Sequence, residues 1–193
     1  MAITPKILAF AGSTRVESFN KKLVKIAATG AQAAGAEVTY LDLRDLPMPL
    51  FDEDLEAQDG LNPNARKLKD MLLVHQGLLI ASPEYNSSIS GVLKNAIDWV
   101  SRPDPGEAPA ACFVDKVAAI MSASPAPLGG LRGLLQVRAI LGNIKVIVLP
   151  DQITIAKAYD AFNSDSTLKE VQQQAAVEKL GFSLATVLAK LKA

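Results

Sequence analysis

Cysteine and histidine are almost missing from this 193-residue chain, with Cys112 and His75 standing alone. One thiol excludes an intrachain disulfide, and one histidine with one cysteine cannot build a His/Cys metal centre, so no metal site is expected. Net charge is missing as well, because Lys+Arg and Asp+Glu number 20 each. A balanced chain has no bulk attraction for nucleic acid or an anionic membrane, and neither is expected as a partner. No uncharged apolar run reaches the roughly 18 residues of a membrane helix, and the opening Met-Ala-Ile-Thr-Pro-Lys has no signal-peptide core. A cytoplasmic location is the expectation that follows. Gly-x-Gly-x-x-Gly, Gly-x-x-x-x-Gly-Lys-Ser/Thr and Gly-x-Ser-x-Gly are absent too, which argues against a Rossmann dinucleotide site, a P-loop NTPase and an α/β-hydrolase.

What is present is enough apolar material, 49% of the chain, for one well-buried core, so residues 1–193 are expected to form a single domain. Short apolar runs alternate with helical patterns. Strands are expected at Lys6–Ala11, Glu37–Leu41, Gly77–Ala81, Lys116–Met121 and Lys145–Leu149, the last stopped by Pro150. Helices are expected over Phe19–Ala34, Asn64–His75, Gly91–Ser101, Leu131–Leu141 and Thr167–Lys192, the last with Leu184, Leu188 and Leu191 on one stripe. Residues 46–52 and 103–111 read as Pro-punctuated connections. Five strands joined by helices predict an α/β fold with a doubly wound parallel sheet in the order 2-1-3-4-5. Ligands in such sheets sit at the carboxyl ends of the strands, at the switch point between strands one and three.

Two strand-to-helix junctions there carry chemistry. After the first strand, Gly12-Ser13-Thr14-Arg15-Val16-Glu17-Ser18-Phe19-Asn20 places hydroxyl donors and a guanidinium at a helix start, where backbone N–H groups are unsatisfied and the dipole is positive. The loop reads equally as an ordinary N-cap at Ser18 with a solvated Arg15. After the third strand comes Ser82-Pro83-Glu84-Tyr85-Asn86-Ser87-Ser88-Ile89-Ser90, running into Gly91-Val92-Leu93-Lys94-Asn95-Ala96-Ile97-Asp98-Trp99. A third loop, Ser122 to Gly130, completes the set. Trp99 reads first as a core or interface aromatic, His75 as a helix-terminal residue and Cys112 as inert. Gly129-Gly130 is either a helix-start turn or a close backbone approach, and Glu84 is free to face solvent, substrate or another subunit.

The two motifs together, Gly-Ser-x-Arg-x-x-Ser-x-Asn and Ser-Pro-Glu-Tyr-Asn followed by Leu-Lys-Asn-Ala-Ile-Asp-Trp, resemble the NAD(P)H-dependent FMN reductases of the flavodoxin-like superfamily, which include bacterial quinone, chromate and azo-dye reductases. The likeness runs from about Lys6 to about Leu149. It implies a flavodoxin-like fold, bound FMN, and NADPH or NADH as co-substrate. A two-electron, ping-pong reaction with a quinone, azo or oxidised-metal acceptor is implied with them. Hydride chemistry on FMN requires no catalytic residue of the chain. By the same resemblance, Ser13, Arg15, Ser18 and Asn20 hold the phosphate, with Phe19 adding its N–H. Pro83, Glu84, Tyr85, Asn86 and Ser87 run along the ring, with Tyr85 and Asn86 lining the pocket, and Ser124 flanks the ribityl chain. Ser87 stands where relatives usually carry an aromatic, which is expected to open the pocket. Ser90 replaces a usual proline, which is expected to loosen the turn.

Relatives also imply a homodimer or homotetramer, with the helix carrying Trp99 and Val100 near the interface. A Glu84–Arg132 contact between subunits is expected, without the wider network that a Tyr in place of Leu135 would supply. The alternative reading is a flavodoxin-type FMN electron carrier with no nicotinamide turnover. Such carriers tend to be acidic, which this chain is not.

Overall fold

The computed structural model describes residues 4–191. Strands β1 (Lys6–Ala11), β2 (Glu37–Asp42), β3 (Gly77–Ala81), β6 (Val117–Ala123) and β7 (Ile147–Ile155) form one sheet in the order β2-β1-β3-β6-β7. Every pair in it is parallel. With β4 (Glu84–Tyr85) and β5 (Ser88–Ile89) set apart as a separate antiparallel hairpin, this is the expected 2-1-3-4-5 flavodoxin-like arrangement.

Period-two alternation distributes the strands between two apolar layers. Ile7, Ala9 and Ala11 of β1, Leu79 and Ala81 of β3, and Ala119 and Met121 of β6 face helices α1 (Phe19–Ala33) and α7 (Val171–Leu191). Leu8, Phe10, Leu78, Ile80 and Ile120 face the other way, onto α3 (Pro63–Val74), α4 (Gly91–Ser101) and α5 (Leu131–Asn143). Both faces of the sheet are covered. Ligand-sized space is therefore left where the loops leave the strand ends.

Several boundaries differ from the sequence expectation. The β4–β5 hairpin was expected as irregular loop, because a pair of two-residue strands gives no periodicity to detect. Strand β7 runs through Pro150 rather than stopping before it. The pairing jumps from Ala118↔Val148 to Ile120↔Gln152, so Pro150 sits in a bulge on an edge strand, where no ladder N–H is needed. Arg138 closes that bulge by donating from Nη1 to the Leu149 carbonyl at 2.9 Å and from Nη2 to Gln152 Oε1 at 3.1 Å. Two short helices, α2 (Glu53–Asp59) and α6 (Ala158–Ala161), were not expected. Helix α7 begins at Val171, not Thr167, and the expected end at Lys192 lies outside the described residues. Leu184 and Leu188 are buried, but Leu191 is exposed, so the stripe ends one turn early.

Among the described residues, no helix is long and apolar enough to cross a membrane.

Candidate functional site

The ends of β1, β3 and β6 converge on a cleft of about 190 Å³ lined by Ser13, Arg15, Ser18, Phe19, Asn20, Pro83, Glu84, Tyr85, Ala123, Ser124 and Pro125. All the residues expected there from the first loop, and Pro83, Glu84, Tyr85 and Ser124 from the others, are thus brought together. Asn86 and Ser87 are not part of its lining.

Ser18 is the N-cap of α1, accepting from the Lys21 N–H at 3.4 Å, and its hydroxyl hydrogen stays available to a ligand. The two readings of this loop are therefore compatible. The N–H groups of Phe19 and Asn20 lack intrahelical acceptors by their position in the first turn. Arg15 has no carboxylate partner among the described residues, whereas the nearby Glu17 pairs with Lys22 at 3.7 Å. Ser13 is nearly buried and accepts from the Arg15 N–H. Phe19 stacks on Phe162 at 5.5 Å, which fixes the start of α1 from behind.

Asn20 has a different position from the expected phosphate ligand. Its amide is buried and engaged twice with the backbone of Ala123. Nδ2 donates to the carbonyl and Oδ1 accepts from the N–H, both at 2.9 Å. The side chain clamps the start of α1 to the end of β6, across the mouth between the first and third loops.

The hairpin β4–β5 supplies the opposite wall. Its two-residue turn, Asn86-Ser87, has φ of 51° and 64°, the left-handed geometry of a tight hairpin. The exposed Asn86 and Ser87 sit at the tip of this turn, outside the cleft lining, where Ser87 was expected to open the pocket. Ser90 corrects a second expectation. Its Oγ donates to the Gly12 carbonyl at 2.6 Å and accepts from the Leu93 N–H at 3.2 Å, so it caps α4 and ties the hairpin's exit to the first loop instead of loosening the turn.

Glu84 makes within the chain the contact with Arg132 that was expected between subunits. Oε1 accepts from Arg132 Nη2 at 2.8 Å and Nε at 3.0 Å, and Oε2 accepts from the Gly133 N–H at 3.0 Å. Burial alone would raise this carboxyl, but the hydrogen bonds from Gly133 and Arg132 prevail and hold it below the usual carboxylate range. The contribution of the contact is therefore complete above the unfolded carboxylate value and is lost as pH falls through the lower folded one. Beneath the turn, Gly130 has φ of 93°, and a Cβ there would collide with Ser122 Oγ. The glycine pair is thus both helix-start turn and close approach. Ser122 Oγ itself is buried with no hydrogen-bond partner among the described residues.

The other singled-out residues lie away from the cleft. His75 is the C-cap of α3, and its ring nitrogens sit 2.6 Å from the Met71 carbonyl and 2.9 Å from Thr39 Oγ1. Cys112 is fully buried, and burial pushes its thiol up to about 11. Trp99 and Val100 are each 1% exposed. Trp99 donates from Nε1 to the Pro49 carbonyl at 2.8 Å, so this helix face is core and is not available to an interface. No group of three or more His, Cys, Asp or Glu side chains suited to a metal occurs among the described residues.

A family model described as NADPH-dependent FMN reductase matches residues 5–160. The chain is 34% identical over 176 residues to an NAD(P)H-dependent FMN reductase of Pseudomonas aeruginosa, a match covering 88% of this chain and 90% of the relative. It is 33% identical over 149 residues to a quinone reductase of Escherichia coli, covering 75% and 73% of the two chains. In fold it is similar to the flavoenzyme NAD(P)H:(acceptor) oxidoreductase FerB of Paracoccus denitrificans, with a TM-score of 0.78 at 22% identity and coverage of 97% and 98%.

The Asn20 clamp generates a stability prediction. Asn20→Ala leaves a buried N–H and carbonyl of Ala123 without partners and is expected to cost about 2–4 kcal/mol. Asn20→Asp, which keeps the acceptor and loses the donor, is expected to fall between. Urea denaturation of the flavin-free protein measures both, and a loss below about 0.5 kcal/mol for the alanine variant would show that the clamp is replaceable by water.

Proposed function

This chain belongs to the NADPH-dependent FMN reductase family, and from that premise we propose that residues 1–193 act as one FMN-binding unit. Two electrons pass from NAD(P)H through the flavin to a quinone-like small molecule. Azo compounds and oxidised metals such as chromate are further acceptors. The proposed place of action is the cytoplasm, where reduced nicotinamide nucleotides are supplied.

The observation that carries this reading is Arg15, without a carboxylate partner among the described residues, beside the hydroxyls of Ser13 and Ser18 and the first-turn N–H groups of α1, all in one cleft. This donor set fits a phosphate monoester, with a forked cation, hydroxyl donors and helix N–H groups and no unpaired carboxylate at that end. When bound, FMN supplies the hydride and electron chemistry. Arg15, Ser13 and Ser18 hold the phosphate, and Phe19 contributes its N–H. Ser124 flanks the ribityl chain. Pro83, Glu84 and Tyr85 give backbone contacts along the polar edge of the ring, and Asn86 and Ser87 border its open side from the hairpin tip.

Donor and acceptor share this cleft in turn, since the sequence holds no glycine-rich fingerprint for a second nucleotide site. Association into a homodimer or homotetramer runs over the exposed face of α5, where Leu131 and Leu135 lie one helical turn apart, with the exposed Leu128 in the turn before the helix and Tyr85 on the hairpin packed against it. Light scattering at micromolar protein should read at least a dimer, and a monomer would remove this assignment.

Three measurements test the enzymology. Heat-released chromophore should elute as FMN, and Arg15→Ala should weaken FMN by about 1.5–3 kcal/mol while leaving riboflavin, which lacks the phosphate, nearly unchanged. Release of FAD, or an equal loss for both flavins, would reject the phosphate assignment. Initial-rate plots at several quinone concentrations should be parallel. Intersecting lines would establish a ternary complex and a second site.

A further inference from the structure

We infer that Glu84 is a positioning residue, serving as the N-cap that helix α5 lacks and thereby fixing the hairpin that borders the flavin ring. The inference rests on the FMN reading above. Helices α1 and α4 begin at Ser18 and Ser90, which cap them with their own side chains, whereas α5 begins at Gly130, which has none. The cap comes instead from 49 positions away in sequence, where Glu84 Oε2 accepts from the Gly133 N–H. A carboxylate at a helix start is also favoured by the dipole. Arg132, half-exposed, clasps the other oxygen of a Glu84 side chain that is only 8% exposed.

Apart from Ile89, packed on the apolar core, and the Ser90 bond at its exit, the hairpin has little of its own to hold it. It consists of two residue pairs, Glu84↔Ile89 and Tyr85↔Ser88, and does not join the main sheet. Two-stranded ribbons of this size are not stable by themselves. Its turn holds two non-glycine residues in the left-handed region, which adds strain of its own. Against α5 it fits closely. A Cβ on Gly133 would stand 3.2 Å from both Glu84 Cβ and the Ser88 carbonyl, so the absent side chain is what lets the hairpin lie flush on the helix. Pro83 and Tyr85, on either side of Glu84, line the cleft. The carboxylate thus holds the ring-side wall from behind, and α5 sets the position of that wall.

The test separates ring positioning from phosphate binding. In flavin-free protein, Glu84→Ala should raise hydrogen exchange at the amides of residues 84–89 and 131–134 about tenfold while leaving those of α1 unchanged. In flavin titrations it should weaken FMN and riboflavin by the same factor, about tenfold, in contrast to Arg15→Ala, which affects FMN alone. Glu84→Gln retains an acceptor for Gly133 and should recover most of both effects. Gly133→Ala keeps the carboxylate but pushes the hairpin outward. It should weaken both flavins as well, which covers the case in which Glu84→Ala fails to fold. Unchanged hairpin exchange in Glu84→Ala, or faster exchange with both flavin affinities intact, overturns the inference. A wild-type chain that binds no flavin overturns the FMN reading and this one together, whereas a wild type that binds FMN beside an unaffected Glu84→Ala overturns this one only.

Discussion

The two hydrogen bonds between the Asn20 amide and the backbone of Ala123 are the contact on which the site geometry depends. At a switch point, the chain leaves neighbouring strands toward opposite faces of the sheet, and nothing in the ladder itself keeps the outgoing loops together. Here β1 departs into α1 on one face, while its neighbour β3 and, beyond it, β6 depart toward α4 and α5 on the other. A buried amide that satisfies both an N–H and a carbonyl of the other loop closes that gap at a fixed width, without adding a charge to the cleft. The first-turn N–H groups of α1 owe their orientation to it.

Charge is distributed in the cleft by the same logic. Its carboxylate, Glu84, is matched within the chain by Arg132 and a helix N–H, while its guanidinium, Arg15, meets no carboxylate among the described residues. The matched group maintains structure and the unmatched one is free for a ligand. Neutrality of the whole chain therefore conceals a local excess of positive charge at the cleft end where α1 begins.

The sheet order and most helices were readable because apolar periodicity records burial on both faces, as at Leu78-Leu79-Ile80, where successive side chains enter opposite layers. That the first-loop residues share one cleft was readable because they follow a strand and open a helix at the carboxyl edge of the sheet. What escaped detection depends on partners distant in sequence. Asn20 looked like a phosphate donor because its partner lies 103 positions away. Glu84 and Arg132 were paired as an expectation between subunits, whereas the pair forms within one chain, where β4 packs on the start of α5. Trp99 read as a core or interface aromatic on a helix expected near an interface, and the Pro49 carbonyl and Phe51 make it core. Pro150 read as a strand end because a bulge, visible only with its partner strand, is what lets proline remain.

That bulge has a consequence for colloidal behaviour. Strand β7 is an outer strand of the sheet, and an outer strand is a template on which a second chain can polymerise. At Pro150 the template has no amide hydrogen, and the Arg138 guanidinium, donating to the carbonyls of Leu149 and Pro150, occupies acceptors that an incoming strand would need. The sheet thus interrupts its β7 edge in mid-strand, and strand-to-strand addition of a second chain is blocked there.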